Sequence, residues 1–159
     1  ETDSTQIVKL AASLGIEIPI LGGDTLDSNM VLEAAAGSDV QLYVSTFYQE
    51  GGSPEFDEGF KAWLSEDSTA MTNNGGNDTI AAVTAMGYDA YYVALEALKA
   101  AGSTDKAAVK AALPDVTYTG VSGSIAFDEQ GDAIRDTAYI KTADTANNAW
   151  TLETVQTVE

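Results

Sequence analysis

The sequence contains no cysteine and no histidine. Structural disulfides, thiolate nucleophiles and Cys/His zinc sites are therefore excluded. No nucleophile elbow or phosphate-binding loop replaces them, since Gly51-Gly52-Ser53 is not followed by the Lys that such a loop needs. The sequence therefore predicts no metal site, no cofactor and no catalytic residue. An acidic α/β enzyme with a pair of carboxylates stays open as a minor alternative.

Basic residues are also scarce. Lys and Arg number 7 against 25 Asp and Glu, which gives a formal net charge of -18. Nucleic acids and anionic membranes are bound through basic patches, so this balance argues against both as partners. No apolar run approaches the roughly 20 residues that a membrane-spanning helix needs. The chain has neither an initiator Met nor a secretory signal, and we expect a fragment or a processed piece of a longer protein.

The 159 residues, 45% of them hydrophobic, suffice for one domain or two small lobes. Strand and helix patterns alternate first and hairpin-like strands follow, which predicts an α/β fold with a late antiparallel part. We expect helices over 29–36 and 79–101, and others whose buried faces hold Ile7, Leu10, Ala11 and Leu14, or Phe56, Phe60, Trp63 and Leu64. A further helix follows Ser103 or Thr104, and Tyr91 is expected in the core. Predicted strands cover 18–21, 40–46, 117–118, 122–127, 134–141 and 150–155.

The stretch IPILGGDTLDS, residues 18–28, is the most informative. A short apolar strand, predicted to be buried, runs into Gly22 and Gly23, which allow a sharp turn. Asp24 follows, and Asp27 or Ser28 can cap the next helix. Ligands of open α/β folds bind beyond the carboxyl ends of strands, where Asp24 is expected. On the pattern alone, a turn residue and a ligand-binding acid are equally good interpretations of Asp24.

Two polar segments have both a functional and a structural interpretation. Residues 128–132 faintly resemble a calcium loop, but Gly131 stands fourth and Tyr139 twelfth, so a hairpin turn is favoured. Residues 72–78 (TNNGGND) carry oxygen ligands suited to a cation, and a flexible surface loop is the better interpretation. Asn77 also begins a glycosylation sequon.

Four segments in order resemble one family. They are 11–28 (AASLGIEIPILGGDTLDS), 85–101 (AMGYDAYYVALEALKAA), 102–113 (GSTDKAAVKAAL) and 118–132 (YTGVSGSIAFDEQGD). Together they resemble the C-terminal part of the extracellular substrate-binding proteins of branched-chain amino-acid ABC transporters, the Leu/Ile/Val type within periplasmic binding protein type I. The resemblance implies two α/β lobes that trap a ligand, each with a parallel sheet flanked by helices.

The resemblance also implies roles for parts of the chain. Residues 1–47 and 121–159 would belong to the C-terminal lobe, and 48–120 to the N-terminal lobe. Asp24 matches the acid that holds a ligand's α-ammonium group, with Thr25 beside it at the cleft edge. Val83 matches a position that lines the side-chain pocket, where the family usually has a large aromatic residue. The groups that bind the ligand carboxylate would lie in the other half of the protein.

The function that this resemblance implies is capture of an amino acid, branched-chain or another small one, outside the cytoplasmic membrane and delivery to an ABC permease. No chemistry and no cofactor are involved. The alternative is a ligand-sensing receptor domain of the same fold. Because sheet edges and apolar faces would be left uncovered, we also expect a homodimer or strand-exchanged oligomer of the isolated chain.

Overall fold

A computed structural model describes residues 2–157. Residues 1, 158 and 159, the outer ends of the predicted C-terminal lobe, lie outside the described residues. The helices are α1 (Thr2–Leu14), α2 (Asn29–Ala35), α3 (Pro54–Glu66), α4 (Ser68–Asn73), α5 (Ala82–Ala101) and α6 (Lys106–Ala112), with 3-10 turns at Asp24–Leu26 and Leu113–Asp115. The strands are β1 (Ile20–Gly22), β2 (Leu42–Thr46), β3 (Tyr118–Gly120), β4 (Gly123–Phe127), β5 (Ala133–Ile134), β6 (Thr137–Asp144) and β7 (Ala149–Thr157).

The larger sheet has the strand order β1-β2-β6-β7. β1 and β2 are parallel, whereas β6 and β7 join antiparallel. A second sheet, β3-β4-β5, is antiparallel throughout. This arrangement confirms the predicted α/β class with its late antiparallel strands.

Helices α1 and α2 pack on the larger sheet around Val8, Ala11, Val31 and Leu42. The predicted buried face of α1 is wrong apart from Ala11, because Ile7, Leu10 and Leu14 are 58–65% exposed. Apolar side chains lie on both sides of this helix, so the spacing rule does not decide which side the sheet covers. Gly15 ends the helix with φ +63°, as predicted.

Strand β1 is shorter and more exposed than predicted. It is the outer strand of its sheet, and Ile18 and Leu21 beside and within it are 72% and 71% exposed. The apolar run was predicted to be a buried strand, but within residues 2–157 no other strand pairs with its outer edge. β1 therefore presents an unpaired, apolar edge.

Helix α5 packs with α6 and the second sheet around Val93, Ala97, Val116 and Ile125. The expected core position of Tyr91 is wrong, since that ring is 63% exposed. An apolar α5 rich in alanine has no single dominant stripe, and its buried face is the one that meets β3 and β4. Trp63 of α3 is likewise half exposed rather than buried.

Local signals are mostly confirmed, with one correction. The cap of α6 is Asp105, whose carboxylate accepts from Ala107 N and Ala108 N, rather than Ser103 or Thr104. Residues 128–132 form the predicted turn between β4 and β5, closed by a 3.0 Å bond from Asp128 N to Asp132 O. Gly131 takes φ +89° there, which is why glycine stands at that position.

Candidate functional site

An open cavity of about 540 Å³ lies between residues 24–30 and residues 72–83. Asp24, Thr25 and Val83, the three residues predicted from the sequence, all line it. The structure therefore brings together residues that stand almost sixty positions apart. Their roles toward a ligand stay predictions.

The first wall is the turn that follows β1. Gly22 is required by a close approach, since a Cβ there would overlap the Leu26 side chain. Gly23 is extended (φ -83°, ψ -177°), so the turn does not use a left-handed backbone at this glycine. Asp24 opens the 3-10 turn, which is held by Leu26 N to Gly23 O and Asp27 N to Asp24 O, both 3.0 Å.

Asp24 lines this cavity, and its carboxylate has no hydrogen-bond donor and no ion-pair partner among residues 2–157. It is half buried, whereas Thr25 and Val83 are exposed. The lining side chains include no basic residue. A cationic or ammonium group entering the cavity would therefore meet a partly desolvated, uncompensated carboxylate.

Asp27, three residues further on, is part of a buried network that sequence reasoning missed. Its Oδ2 accepts from Lys141 Nζ at 3.0 Å, Thr46 Oγ1 at 2.9 Å and Ala82 N at 3.2 Å. Asp27 and Lys141 are 3% and 2% exposed, and Asp27 Oδ1 has no partner within the described residues. A buried oxygen without a donor costs about 1–3 kcal/mol.

Asn29 ties the same turn to the opposite wall. Its Nδ2 donates to Asn74 O at 3.2 Å and to Asn77 Oδ1 at 2.8 Å. Asn74 Nδ2 in turn donates to Asn77 O and Thr79 O. The segment 72–78 lies at the surface as predicted, although its first two residues end α4 and these bonds tie it to Asn29.

A weak sequence signal could have indicated the network. Lys141 is one of only seven basic residues and stands inside a strand pattern of apolar and hydroxyl side chains. A charged side chain in the middle of a strand that packs in the interior predicts a buried partner of opposite charge. The partner, Asp27, lies 114 positions away and carries no such signal.

A second cavity, of about 550 Å³, is lined by aromatic rings from α3 and α5, among them Phe56, Phe60, Trp63 and Tyr88. A hydrogen bond with Tyr92 raises the pKa of Tyr88. Ring packing dominates this surface, and the polar groups that could orient a small ligand converge in the Asp24 cavity instead. The Asp24 cavity is therefore the candidate site.

Across residues 2–157, His, Cys, Asp and Glu side chains form no cluster of three or more that could hold a metal ion. None of the described helices is both long and apolar enough to cross a bilayer.

Comparisons with known proteins identify the family. The match to a leucine binding protein of Thermotoga maritima spans 98% of this chain and 42% of that one, at 28% identity and a TM-score of 0.74. An ABC transporter substrate-binding protein of Desulfitobacterium hafniense, solved in complex with Leu, is 26% identical with a TM-score of 0.60, over 93% of this chain and 39% of that one.

A third solved structure shows the fold alone. It is a solute binding protein of R. palustris in complex with benzoate, 15% identical with a TM-score of 0.69, over 98% of this chain and 41% of that one. A search of curated proteins found no match to the chain. The chain spans less than half of the length of these three solved structures. The family model for periplasmic binding proteins matches residues 1–148, and the chain therefore belongs to the periplasmic binding protein family.

Proposed function

We propose that the protein containing this chain is the extracytoplasmic solute-binding component of an ABC importer. It captures an amino acid between two lobes and delivers it to the permease, without chemistry and without a cofactor. The observation that carries this proposal is the uncompensated carboxylate of Asp24 in the cavity. It is the acceptor that an α-ammonium group requires, in a chain of the periplasmic binding protein family.

We further propose a branched-chain or other small amino acid as the ligand. Two of the similar proteins are described with leucine. Val83 and the half-exposed Met30 supply apolar surface in the cavity beside Asp24. Because Val83 replaces the large aromatic residue expected there, we expect room for an aliphatic side chain of leucine size or somewhat larger.

The division into lobes is also a proposal. We assign residues 1–47 to the C-terminal lobe and residues from 48 onward to the N-terminal lobe. The sequence resemblance places the return at about 121. The packing of β4 on α5 and α6 favours a return after β5, near residue 135.

Calorimetry on the whole protein with a panel of amino acids tests the function. Leucine, isoleucine or valine should bind, and Asp24→Asn should weaken binding by about tenfold to a hundredfold, as expected when a charge-assisted hydrogen bond is lost. Asp39→Asn removes one exposed charge away from the cavity and serves as the control. Equal affinity of Asp24→Asn and the control would show that Asp24 does not hold the ligand.

The alternative is a ligand-sensing domain of the same fold, which would bind the same ligand but serve no import. Uptake of labelled amino acid by cells that lack the gene distinguishes the two. Normal uptake in those cells, together with tight binding by the purified protein, would favour the sensor.

A further inference from the structure

The three donors on Asp27 Oδ2 come from separate parts of the fold. Thr46 is the last residue of β2, Lys141 lies within β6, and Ala82 N is the first N–H of α5. The bonds to Thr46 and Lys141 connect Asp27 to two strands of the larger sheet. The bond to Ala82 N alone crosses to the other wall of the cavity.

Helix α5 has no local cap for its N-terminus. Its N-cap residue is Ala81, and no side chain of its own segment accepts from the first turn. A 20-residue helix that begins in this way needs an acceptor from elsewhere. Asp27, whose carboxylate is fixed by Lys141, provides that acceptor at 3.2 Å.

The ends of this network adjoin the candidate ligand-binding residues. Asp27 closes the turn that begins at Asp24, and Ala82 precedes Val83. A shift of Asp27 relative to Ala82 would therefore change the separation between the proposed ammonium acceptor and the proposed pocket wall. An ion pair that leaves one carboxylate oxygen unpartnered is a poor way to gain stability, which favours a positioning role.

We propose that Asp27 is a positioning residue. Its bond to Ala82 N holds the cavity wall that carries Val83 against the wall that carries Asp24. Through this bond Asp27 sets ligand affinity, a consequence that rests on the proposed function. Lys141 acts as the clamp that keeps the carboxylate of Asp27 in place. Asp27 also lines the cavity, but in this role it acts through Ala82 N and not on the ligand.

Two double variants of the whole protein isolate the crossing bond. Asp27→Leu with Lys141→Met and Asp27→Asn with Lys141→Met both remove the ion pair together, so no uncompensated charge is left buried. They differ in whether position 27 keeps an acceptor, since the Asn oxygen can accept from Ala82 N and from Thr46 Oγ1 and the Leu side chain can accept from neither. Thr46→Val, which removes a donor inside the larger sheet, calibrates how affinity responds to lost stability alone.

Leucine affinity is measured by calorimetry well below each melting temperature, and amide hydrogen exchange is followed across the first two turns of α5. The Asn variant should bind within about threefold of wild type, while the Leu variant should bind at least about tenfold more weakly and exchange faster at α5. Equal affinity and equal exchange in the two variants would overturn the proposal.

If wild type binds no amino acid, the proposed function fails and the exchange measurement alone decides the role of Asp27. If the Leu variant does not fold, Ala82→Pro takes its place. Proline suits the first position of a helix, and Ala81 already has the extended backbone (φ -76°, ψ 155°) that must precede it. Wild-type affinity and exchange in Ala82→Pro would again contradict the proposal.

Discussion

The side chain of Tyr48 links the segment that follows β2 to the start of α3. Its hydroxyl donates to Asp57 Oδ1 at 2.6 Å and accepts from Ser53 N at 3.1 Å, while Gly51 N donates to Asp57 Oδ2. Both side chains are buried. Tyr48→Phe should therefore cost about 1–3 kcal/mol of unfolding free energy, because it leaves a buried carboxylate oxygen without its donor.

The same residue gives stability a dependence on alkaline pH. Burial, and then the hydrogen bond to Asp57, raise the pKa of Tyr48 in the folded protein. The unfolded tyrosine ionises first, so the unfolding free energy should fall as pH rises above about 10. Denaturant melts at pH 8 to pH 11 should show a shallower fall for Tyr48→Phe than for wild type. Tyr43→Phe, whose hydroxyl has no hydrogen bond among the described residues, is the control; a Tyr48→Phe curve parallel to it would contradict the assignment.

At the residue scale, sequence reasoning found Asp24, Thr25 and Val83 but not Asp27, Lys141 or Asn29. Asp24 follows a local pattern, the end of a strand, that can be recognised without knowledge of the fold, whereas Thr25 and Val83 follow from the resemblance to a family. The residues that were missed act across segments, and their partners are 55 and 114 residues away for Asp27 and 45 and 48 away for Asn29. Contacts of that range have no local signature.

Among the elements, α5 and the hairpin of β3 and β4 depend on Asp89, a fully buried residue of the helix. Its carboxylate accepts from Val121 N at 2.9 Å and Ser122 N at 2.8 Å, and thus holds the hairpin turn. Gly120 lies directly against it, and a Cβ there would overlap the carboxylate. The hairpin therefore needs glycine at position 120 because of its neighbour, and a left-handed backbone is not the cause.

Two glycine substitutions in these elements should have opposite effects. Gly120→Ala should lower the unfolding free energy by about 1–3 kcal/mol, because Asp89 or the hairpin must shift. Gly87→Ala, at an open position inside α5, should raise it by about 0.5–1 kcal/mol through helix propensity. Denaturant unfolding measures both changes, and stabilisation by Gly120→Ala would contradict the described contact.

The elements themselves were largely predictable, and their buried faces were not. Turn and cap residues such as Gly15, Ser28 and Gly131 act on backbone within a few positions of themselves, so the ends of elements could be inferred. The buried face of α1 or α5 depends on what packs against it. Both helices have apolar side chains on more than one side, and the solved relatives are more than twice as long as this chain.

At the scale of the whole molecule, residues 2–157 leave an apolar surface exposed. It includes Ile7, Leu10 and Leu14 on α1 together with Ile18 and Leu21 at the edge strand β1. An exposed apolar edge strand is a template for pairing with another chain. The predicted dimer or strand-exchanged oligomer of the isolated chain stays a proposal, and this surface supports it.

Sedimentation velocity of the 159-residue chain at roughly tens of micromolar should detect self-association. Leu21→Lys places a charge on the outer edge of β1 and should shift the chain toward monomer. Ala107→Lys adds the same charge on the exposed face of α6 and should leave the association unchanged. A compact wild-type monomer would contradict the proposal.

The contact between Asp27 and Lys141 also has a kinetic consequence. It joins residues 114 positions apart, so Lys141 can hold the carboxylate of Asp27 only when β6 has docked beside β2. Closing a loop of that length costs entropy, and only the strand contacts that form afterwards compensate for it. Such contacts therefore form late. During synthesis, the network of Asp27 beside the candidate cavity therefore forms late, and a nascent chain that ends before residue 141 lacks the partner that holds this carboxylate.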